Sequence, residues 1–169
     1  MPTIHFLHGF VAFGKSEFAA ALAQEIDAPI IRTDKLHAEL NSGKPAIGLD
    51  KEARKKLFEI AKEKTEQLVK SGRDVIFDAG SWKRETRDSN RAWAASLGAN
   101  CKYYSIKCSP EKALENLMAR NKSNPGHFYS PERWKENFKL FEPMQDDEDF
   151  TEITAQKKPF FSYCHGRAD

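Results

Sequence analysis

Residues 3–16 read TIHFLHGFVAFGKS, and this stretch predicts both a local fold and a ligand. A β-prone run, residues 3–8, ends at Gly9, and residues 9–16 then match the pattern G-x-x-x-x-G-K-[ST]. Glycines let the backbone curl so that successive N–H groups point at phosphate oxygens. Lys15 can reach the β- and γ-phosphates, and the Ser16 hydroxyl can ligate Mg²⁺. The stretch therefore predicts a phosphate-binding loop.

The residues after this loop supply the helix that it requires. Apolar side chains recur on one face at helical spacing, namely Phe18, Ala21, Leu22 and Ile26. The positive end of the helix dipole adds to the anion site. A chance Gly-Lys-Ser at a helix start is the alternative, but the order strand, loop, helix argues against it. Because Phe10 and Phe13 are bulky for a loop that wraps a phosphate, we expect both rings to point into apolar surroundings.

Composition limits the class of protein. The chain has 169 residues, a net charge of +2 and no apolar run of membrane-spanning length. We expect one domain over residues 1–169, cytoplasmic and without a signal peptide. The charge neither requires nor excludes nucleic acid. Cys101, Cys108 and Cys164 lack metal-ligand spacing, so reduced thiols are the simplest interpretation, and the five histidines show no paired metal spacing.

Strand-like and helix-like segments alternate along the chain. The predicted strands are residues 3–8, 29–33, 74–79, 102–107 and, more weakly, 151–155. The predicted helices are residues 15–26, 35–41, 50–71, 84–98, 110–121 and 131–142. Such alternation is typical of an α/β protein with a parallel sheet covered on both faces. The tail from about residue 156 is expected to be loosely attached.

Two aspartates stand where predicted strands end. Ligands of open α/β sheets bind beyond the carboxyl ends of the strands. Asp34 follows residues 29–33, so its carboxylate could take the proton of an attacking hydroxyl; the alternative is an N-cap for the next helix. Asp78 ends the run Val75 to Asp78 and could either enter the Mg²⁺ shell or contact the acceptor.

Basic residues follow both candidate site regions. Arg84, Arg87 and Arg91 share one helical face, which is usually a solvated face, although Arg84 or Arg87 could instead bind an anionic acceptor. Arg120 lies near a helix end and precedes a loop that contains Pro125 and Gly126. It could simply stabilise the helix, because a positive charge near the C-terminus interacts favourably with the helix dipole. It could also act from a lid, over about residues 120–131, and neutralise charge on a transferred phosphoryl group.

These features together resemble a known family. The pattern comprises the phosphate-binding loop, Arg32-Thr33-Asp34, Phe77-Asp78-Ala79-Gly80 before a basic helix, Met118-Ala119-Arg120-Asn121, and the segment from Tyr129 to Pro143. It is similar to the P-loop kinases of the AAA_33 type grouped with the kinase domain of polynucleotide kinase, and more distantly to zeta-toxin and chloramphenicol phosphotransferase. The resemblance implies that Lys15 and Ser16 bind ATP and Mg²⁺, that Asp34 is the general base and that Arg120 is a lid arginine.

Two positions depart from the family pattern. Polynucleotide kinases carry an arginine three residues after the base aspartate, to grip the acceptor phosphate, where this chain has His37. They also tend to carry a second lid arginine where this chain has Asn124, although Lys122 could partly substitute. Both departures favour a small-molecule acceptor over a nucleic-acid end.

The sequence thus predicts an ATP-dependent kinase with a three-layer P-loop NTPase fold of five parallel strands in the order 2-3-1-4-5. We expect catalysis by Lys15, Asp34 and Arg120. The expected ATP-binding residues are Gly9, Ala12, Phe13, Gly14, Lys15, Ser16, Glu17 and Arg120. Ser16 and Asp78 are the expected Mg²⁺ ligands, and the acceptor-binding set is Asp34, His37, Asp78 and Arg84.

Two alternatives remain open from the sequence. One is a kinase that acts on polynucleotide 5′-hydroxyls or tRNA ends. The other is a nucleotide-binding switch that hydrolyses slowly and acts through a partner. The chain has no N/T-K-x-D motif, which a guanine-selective switch would normally show.

Overall fold

The computed structural model describes residues 1–41, 43 and 49–154. In chain order the elements are β1 (Thr3–His8), α1 (Lys15–Ile26), β2 (Ile30–Arg32), α2 (Thr33–Leu40), α3 (Lys51–Lys70), β3 (Val75–Asp78), α4 (Arg84–Ser96), β4 (Asn100–Lys107), α5 (Pro110–Ser123), α6 (Pro131–Phe138) and β5 (Thr151–Thr154). A short 3-10 turn spans Pro125–His127. The expected tail from residue 156 and Cys164 lie outside the described residues.

The five strands form one sheet in the order β2-β3-β1-β4-β5. Every neighbouring pair is parallel, with Ile4 opposite both Val75 and Cys101. The predicted strand order and the P-loop NTPase class are thereby confirmed. All five carboxyl ends meet at one edge, where parallel sheets bind ligands.

Alternate residues of the strands face two separate apolar cores. Leu7 and Ile76 pack with Phe18, Leu22, Leu117 and Trp134 on one face of the sheet. Ile4, Phe6, Val75 and Phe77 pack with Leu57, Ala61 and Ala94 on the other. The period of two that sends successive side chains to opposite faces thus builds the three layers, with helices on both sides of a buried sheet.

Helix ends follow local sequence signals, and two of their differences from prediction bear on the site. Ser109 and Ser130 cap α5 and α6 by accepting the backbone N–H of Lys112 and Arg133, both at 3.2 Å, each with proline in the first turn. Helix α2 starts at Thr33, two residues earlier than expected. Helix α6 ends at Phe138 instead of residue 142, because residues 139–141 turn and bring the Phe141 ring beside His8, with 4.8 Å between ring centroids.

Within the described ranges, no helix is long and apolar enough to cross a membrane.

Candidate functional site: a P-loop cleft at the carboxyl edge of the sheet

The phosphate-binding loop connects β1 to α1 and has the backbone shape that its glycines predict. Gly14 has φ 92° at the N-terminus of α1, and Ala12 adopts a left-handed φ of 66° without being glycine. A Cβ on Gly9 would come within 3.2 Å of the Ile106 carbonyl oxygen, a tight contact that favours glycine at this position. No side chain caps α1, which leaves its first N–H groups for an anion.

Aromatic rings support the loop from behind. Phe10 and Phe13 are 0% and 4% exposed, which confirms that both rings point into apolar surroundings. They pack against Phe138 and Phe141, and the rings of Trp82 and Trp134 also contact Phe10. Any contact of Phe13 with nucleotide is therefore through its backbone.

Hydrogen bonds from α5 and α6 fix the same loop. The Trp134 indole Nε1 donates to the Val11 carbonyl oxygen at 2.9 Å, and the Asn116 Nδ2 donates to the Ala12 carbonyl oxygen at 3.1 Å. These bonds tie two carbonyl groups of the loop to α6 and α5. The loop is pre-organised by residues more than 100 positions away, which the sequence did not reveal.

Lys15 stands at the centre of the charged groups. Its Nζ donates to the Phe10 carbonyl oxygen at 2.9 Å, which leaves two of its three protons for phosphate oxygens. Burial lowers the pKa of Lys15, the negative charges of Asp78 and Asp34 oppose this shift, and the positive charges of Arg120 and Arg32 add to it. The P-loop lysine therefore lies in the field of all four groups.

Asp34 lies in the first turn of α2, beyond the end of β2. Its carboxylate is 59% exposed, and its Oδ1 accepts the Lys35 backbone N–H at 2.8 Å. Because α2 begins at Thr33 with Arg32 as its N-cap residue, Asp34 is not the N-cap, and that alternative is removed. The carboxylate is left able to accept a proton from a hydroxyl in the cleft.

Asp78 ends β3 and is paired with Arg32, which the sequence analysis named in the family pattern but did not assign to the site. The Arg32 Nε donates to the Asp78 Oδ2 at 3.0 Å, and the two side chains are only 17% and 9% exposed. The Asp34 Oδ1 lies 3.9 Å from the same Arg32 Nε. An arginine at the end of a predicted strand gave no signal by itself; only the strand order places it beside Asp78.

Arg120 occupies the last turn of α5 and lines the same cleft as Arg32. Burial lowers its pKa, whereas Tyr129 and Asp34 raise it. Among the described residues, none accepts a hydrogen bond from its guanidinium. The loop that follows is tied to α5, because the Asn121 side chain donates to the Tyr129 carbonyl oxygen at 2.7 Å and accepts its N–H at 3.0 Å.

These groups line one cleft of about 1650 Å³ along the carboxyl edge of the sheet. The predicted site residues that line it are Ala12, Phe13, Gly14, Lys15, Ser16, Glu17, Asp34, Asp78 and Arg120. Sequence reasoning did not single out several further lining residues, including Arg32, Arg54, Lys83 and Thr86 towards β2 and β3, and Lys112, Asn116, Ile153 and Thr154 towards β4 and β5.

Three predicted site residues fall outside the cleft lining formed by the described residues. Gly9 acts through the close approach to Ile106 described above. His37 is 9% exposed, within the buried part of α2. The Arg84 guanidinium binds the carboxylates of Asp88 and Asp147, with its Nη1 2.9 Å from the Asp147 Oδ1. Other carboxylates therefore occupy the Arg84 guanidinium, whereas His37 lies one helical turn after Asp34 on α2 without lining the cleft formed by the described residues.

The helical arginine face is not a solvated one. Arg87 is fully buried, and its guanidinium makes two bonds to the Glu148 carboxylate, at 2.8 and 2.6 Å. It also donates to the carbonyl oxygens of Trp82, Glu142 and Pro143. Arg87 thus joins the loop after β3 to residues 142–148, the segment that leads into β5.

Comparisons with known proteins agree with this geometry. A family model described as an AAA domain, AAA_33, matches residues 4–143 of the chain. The chain belongs to the AAA_33 family. With the P-loop and the strand order described above, this AAA_33 protein is a kinase-like P-loop protein. No curated protein matches the chain.

Solved structures share the fold of this AAA_33 protein at low identity. A gluconokinase from Sinorhizobium meliloti 1021 is 18% identical, with a TM-score of 0.65 over 92% of this chain and 83% of that one. The Mycobacterium tuberculosis APS kinase CysC in complex with AMPPNP and APS is 18% identical, with a TM-score of 0.63 over 92% and 90%. A chain of the Pnkp1/Rnl/Hen1 RNA repair complex is 16% identical, with a TM-score of 0.71 over 82% of this chain and 43% of that one.

Proposed function

We propose that this AAA_33 protein is an ATP-dependent kinase that transfers the γ-phosphoryl group to a hydroxyl of a small molecule. One observation carries the proposal: the P-loop lysine, a solvent-accessible carboxylate just beyond β2 and an arginine with no hydrogen-bond acceptor among the described residues line the same cleft. Kinase neighbours of the same fold, one of them solved with AMPPNP, support the choice of ATP.

Each side chain has a distinct role in this reaction. The loop amides and Lys15 bind the β- and γ-phosphates and neutralise their charge. Asp34 orients the attacking hydroxyl and accepts its proton. Arg120 stabilises charge on the transferred phosphoryl group. The lowered pKa of Lys15 reflects burial in a site that is built to receive negative charge.

The donor set of the cleft suits Mg²⁺. The Ser16 hydroxyl is exposed in the first turn of α1, and the described residues contain no cluster of three or more metal-binding side chains. Mg²⁺ needs few protein ligands when phosphate oxygens and waters complete its shell, and it then neutralises phosphate charge. We assign Ser16 to the metal and Asp78 to Arg32, since one Asp78 oxygen already accepts from that guanidinium.

The test is transfer itself. The purified protein is incubated with Mg²⁺, ATP and a mixture of hydroxyl-bearing metabolites, and both ADP and phosphorylated products are measured by mass spectrometry. We expect ADP formation that depends on an added acceptor and is lost in the Lys15→Ala variant. Acceptor-independent hydrolysis with no phosphorylated product would contradict the proposal and favour a nucleotide-dependent switch.

A further inference from the structure

We propose that the acceptor is a small anionic alcohol whose phosphate or carboxylate group is bound by Arg32 and Arg54. This inference rests on the proposed kinase activity and names the substrate class of the same site. It starts from the part of the cleft that lies beyond β2 and β3, where sequence reasoning placed His37 and Arg84 and the structure places other cations.

The Arg32 side chain is fixed by its ion pair with Asp78, and its other N–H groups remain available to a ligand. Its Nε is bound to Asp78, and the side chain is 17% exposed. In the part of the chain that the structure describes, its two terminal amino groups have no hydrogen-bond acceptor. Such an arginine is fixed through Nε, and its two terminal amino groups can face the cleft. It is therefore pre-organised to bind a phosphate or carboxylate through two hydrogen bonds.

Arg54 brings a second cation to the same place. It lies in the first turn of α3 and lines both the main cleft and an adjoining hollow of about 430 Å³. The two spaces also share Thr33, Asp34 and Ala79. Three basic residues border the hollow, namely Lys51, Arg54 and Lys55, and apolar ones complete it, namely Leu49, Leu57 and Phe58. A volume of this size fits a small molecule.

The charges at this end of the cleft are unbalanced. Asp78 is compensated by Arg32, so Asp34 is the remaining carboxylate among the described lining residues beyond β2 and β3, whereas Arg54 and Lys83 are further cations. A neutral alcohol would leave these cations uncompensated when it displaced water from them. An anionic one pairs with them.

The geometry also places the reacting hydroxyl. The Asp34 Oδ1 is 3.9 Å from the Arg32 Nε, so an acceptor whose anion is bound by the free side of Arg32 has its neighbouring atoms beside Asp34. The anion would then fix the hydroxyl against the proposed base. Substrate positioning of this kind supplies a large part of the rate enhancement in phosphoryl transfer.

Binding can be tested without knowing the acceptor. The protein is first saturated with Mg²⁺ and AMPPNP, so that the P-loop is occupied, and is then titrated with inorganic phosphate or with acetate by calorimetry. We expect a second anion to bind to the saturated complex. Binding of phosphate alone indicates a phosphate ester as acceptor, and binding of acetate alone indicates a carboxylate.

Variants locate that second anion. Arg32→Gln and Arg54→Gln are each expected to weaken binding of the second anion at least about tenfold, because a charged hydrogen bond of about 1.5–3 kcal/mol is lost. Arg73→Gln is the matched control, since Arg73 is exposed and precedes the amino end of β3. If Arg32→Gln fails to fold because Asp78 is left unpaired, the double variant R32Q/D78N replaces it.

The outcomes separate this inference from the proposed function. Absence of second-anion binding, or binding that both arginine variants retain, overturns the inference even if the enzyme phosphorylates a neutral alcohol. Anion binding that depends on Arg32 in a protein that yields no phosphorylated product supports the site and contradicts the kinase. Tighter binding of a 5′-hydroxyl oligonucleotide than of either anion, with steep salt dependence, overturns the small-molecule class.

Discussion

Arg32 and Asp78 are register partners at the carboxyl ends of β2 and β3, and their side chains form an ion pair with 3.0 Å between Nε and Oδ2. The pair is largely buried, and it lies in the field of the P-loop lysine. A carboxylate that ends the strand next to a P-loop strand is commonly read as a metal ligand. In this chain its partner in the structure is an arginine, and that changes the role we propose for it.

The Asp78→Asn variant separates these two roles. If Asp78 positions Arg32, the variant should lower the affinity for the acceptor by about tenfold or more. The affinity of the AMPPNP complex for inorganic phosphate should fall in the same way. The affinity for Mg²⁺-ATP should stay within about threefold. Calorimetric titration of each ligand measures both. A raised Mg²⁺ requirement with unchanged anion affinity would instead assign Asp78 to the metal.

The buried ion pair between Arg87 and Glu148 should be important for stability. Both side chains are fully buried, and Glu148 also pairs with Arg91 at 3.0 Å. Glu148→Gln leaves the buried Arg87 guanidinium without its counter-charge, whereas Arg91 keeps Asp88 at 3.1 Å, so we expect a loss of about 3–5 kcal/mol in the free energy of unfolding. Chemical denaturation measures this loss.

A second ion pair on the same helix provides the control. Asp147 is 68% exposed where it pairs with Arg84, and Asp147→Asn should cost less than about 1 kcal/mol. Equal losses for the two variants would show that burial of the Glu148 pair does not matter. The double variant Arg87→Met with Glu148→Leu removes the buried charges together but leaves the carbonyl oxygens of Trp82, Glu142 and Pro143 without their donor, so it should recover only part of the stability.

Stability should fall as the pH drops below about 6.5, through His8. This ring ends β1, donates from Nε2 to the Glu142 carbonyl oxygen at 3.1 Å, and lies 3.2 Å from the Ser105 hydroxyl. Burial lowers the pKa of His8 from 6.5 to about 4. The unfolded chain therefore binds the proton at higher pH than the fold does, so this contribution is full above pH 6.5 and is lost as the pH falls to about 4.

The measurement is the free energy of unfolding as a function of pH, with His8→Asn as the comparison. We expect the wild type to lose up to about 1.4 kcal/mol per pH unit more than the variant between pH 6.5 and 4. His5, whose pKa burial also lowers, adds a slope of the same sign to both proteins. Identical slopes in wild type and variant would show that the His8 pKa is not shifted by folding.

The sequence predicted the features that depend on local pattern. The P-loop and the two serine-proline helix starts follow from residue type and spacing, whereas the strand order was expected from the P-loop fold; the structure confirms each. The direction of the Phe13 ring, away from the phosphate side and into the apolar core, was also predictable, because a bulky ring cannot share space with a phosphate.

Features that depend on distant partners could not be predicted in this way. Arg87 looked like a surface residue because Glu148, which neutralises it, is 61 positions away. Arg32 looked like an ordinary strand residue until β3 placed Asp78 beside it. Arg84 looked available to a ligand, but Asp147 occupies its guanidinium. In each case an ion pair between separate elements decides the role.

The most direct test of the kinase proposal is the Asp34→Asn variant, measured for both turnover and ATP affinity. Asp146→Asn is the matched control, since Asp146 is exposed and lies apart from the described cleft lining. We predict that acceptor-dependent ADP formation falls at least about 100-fold, because the general base is lost, while the Kd for ATP stays within about threefold. Turnover equal to the control, or loss of ATP binding together with turnover, would contradict the assignment of Asp34 as the base.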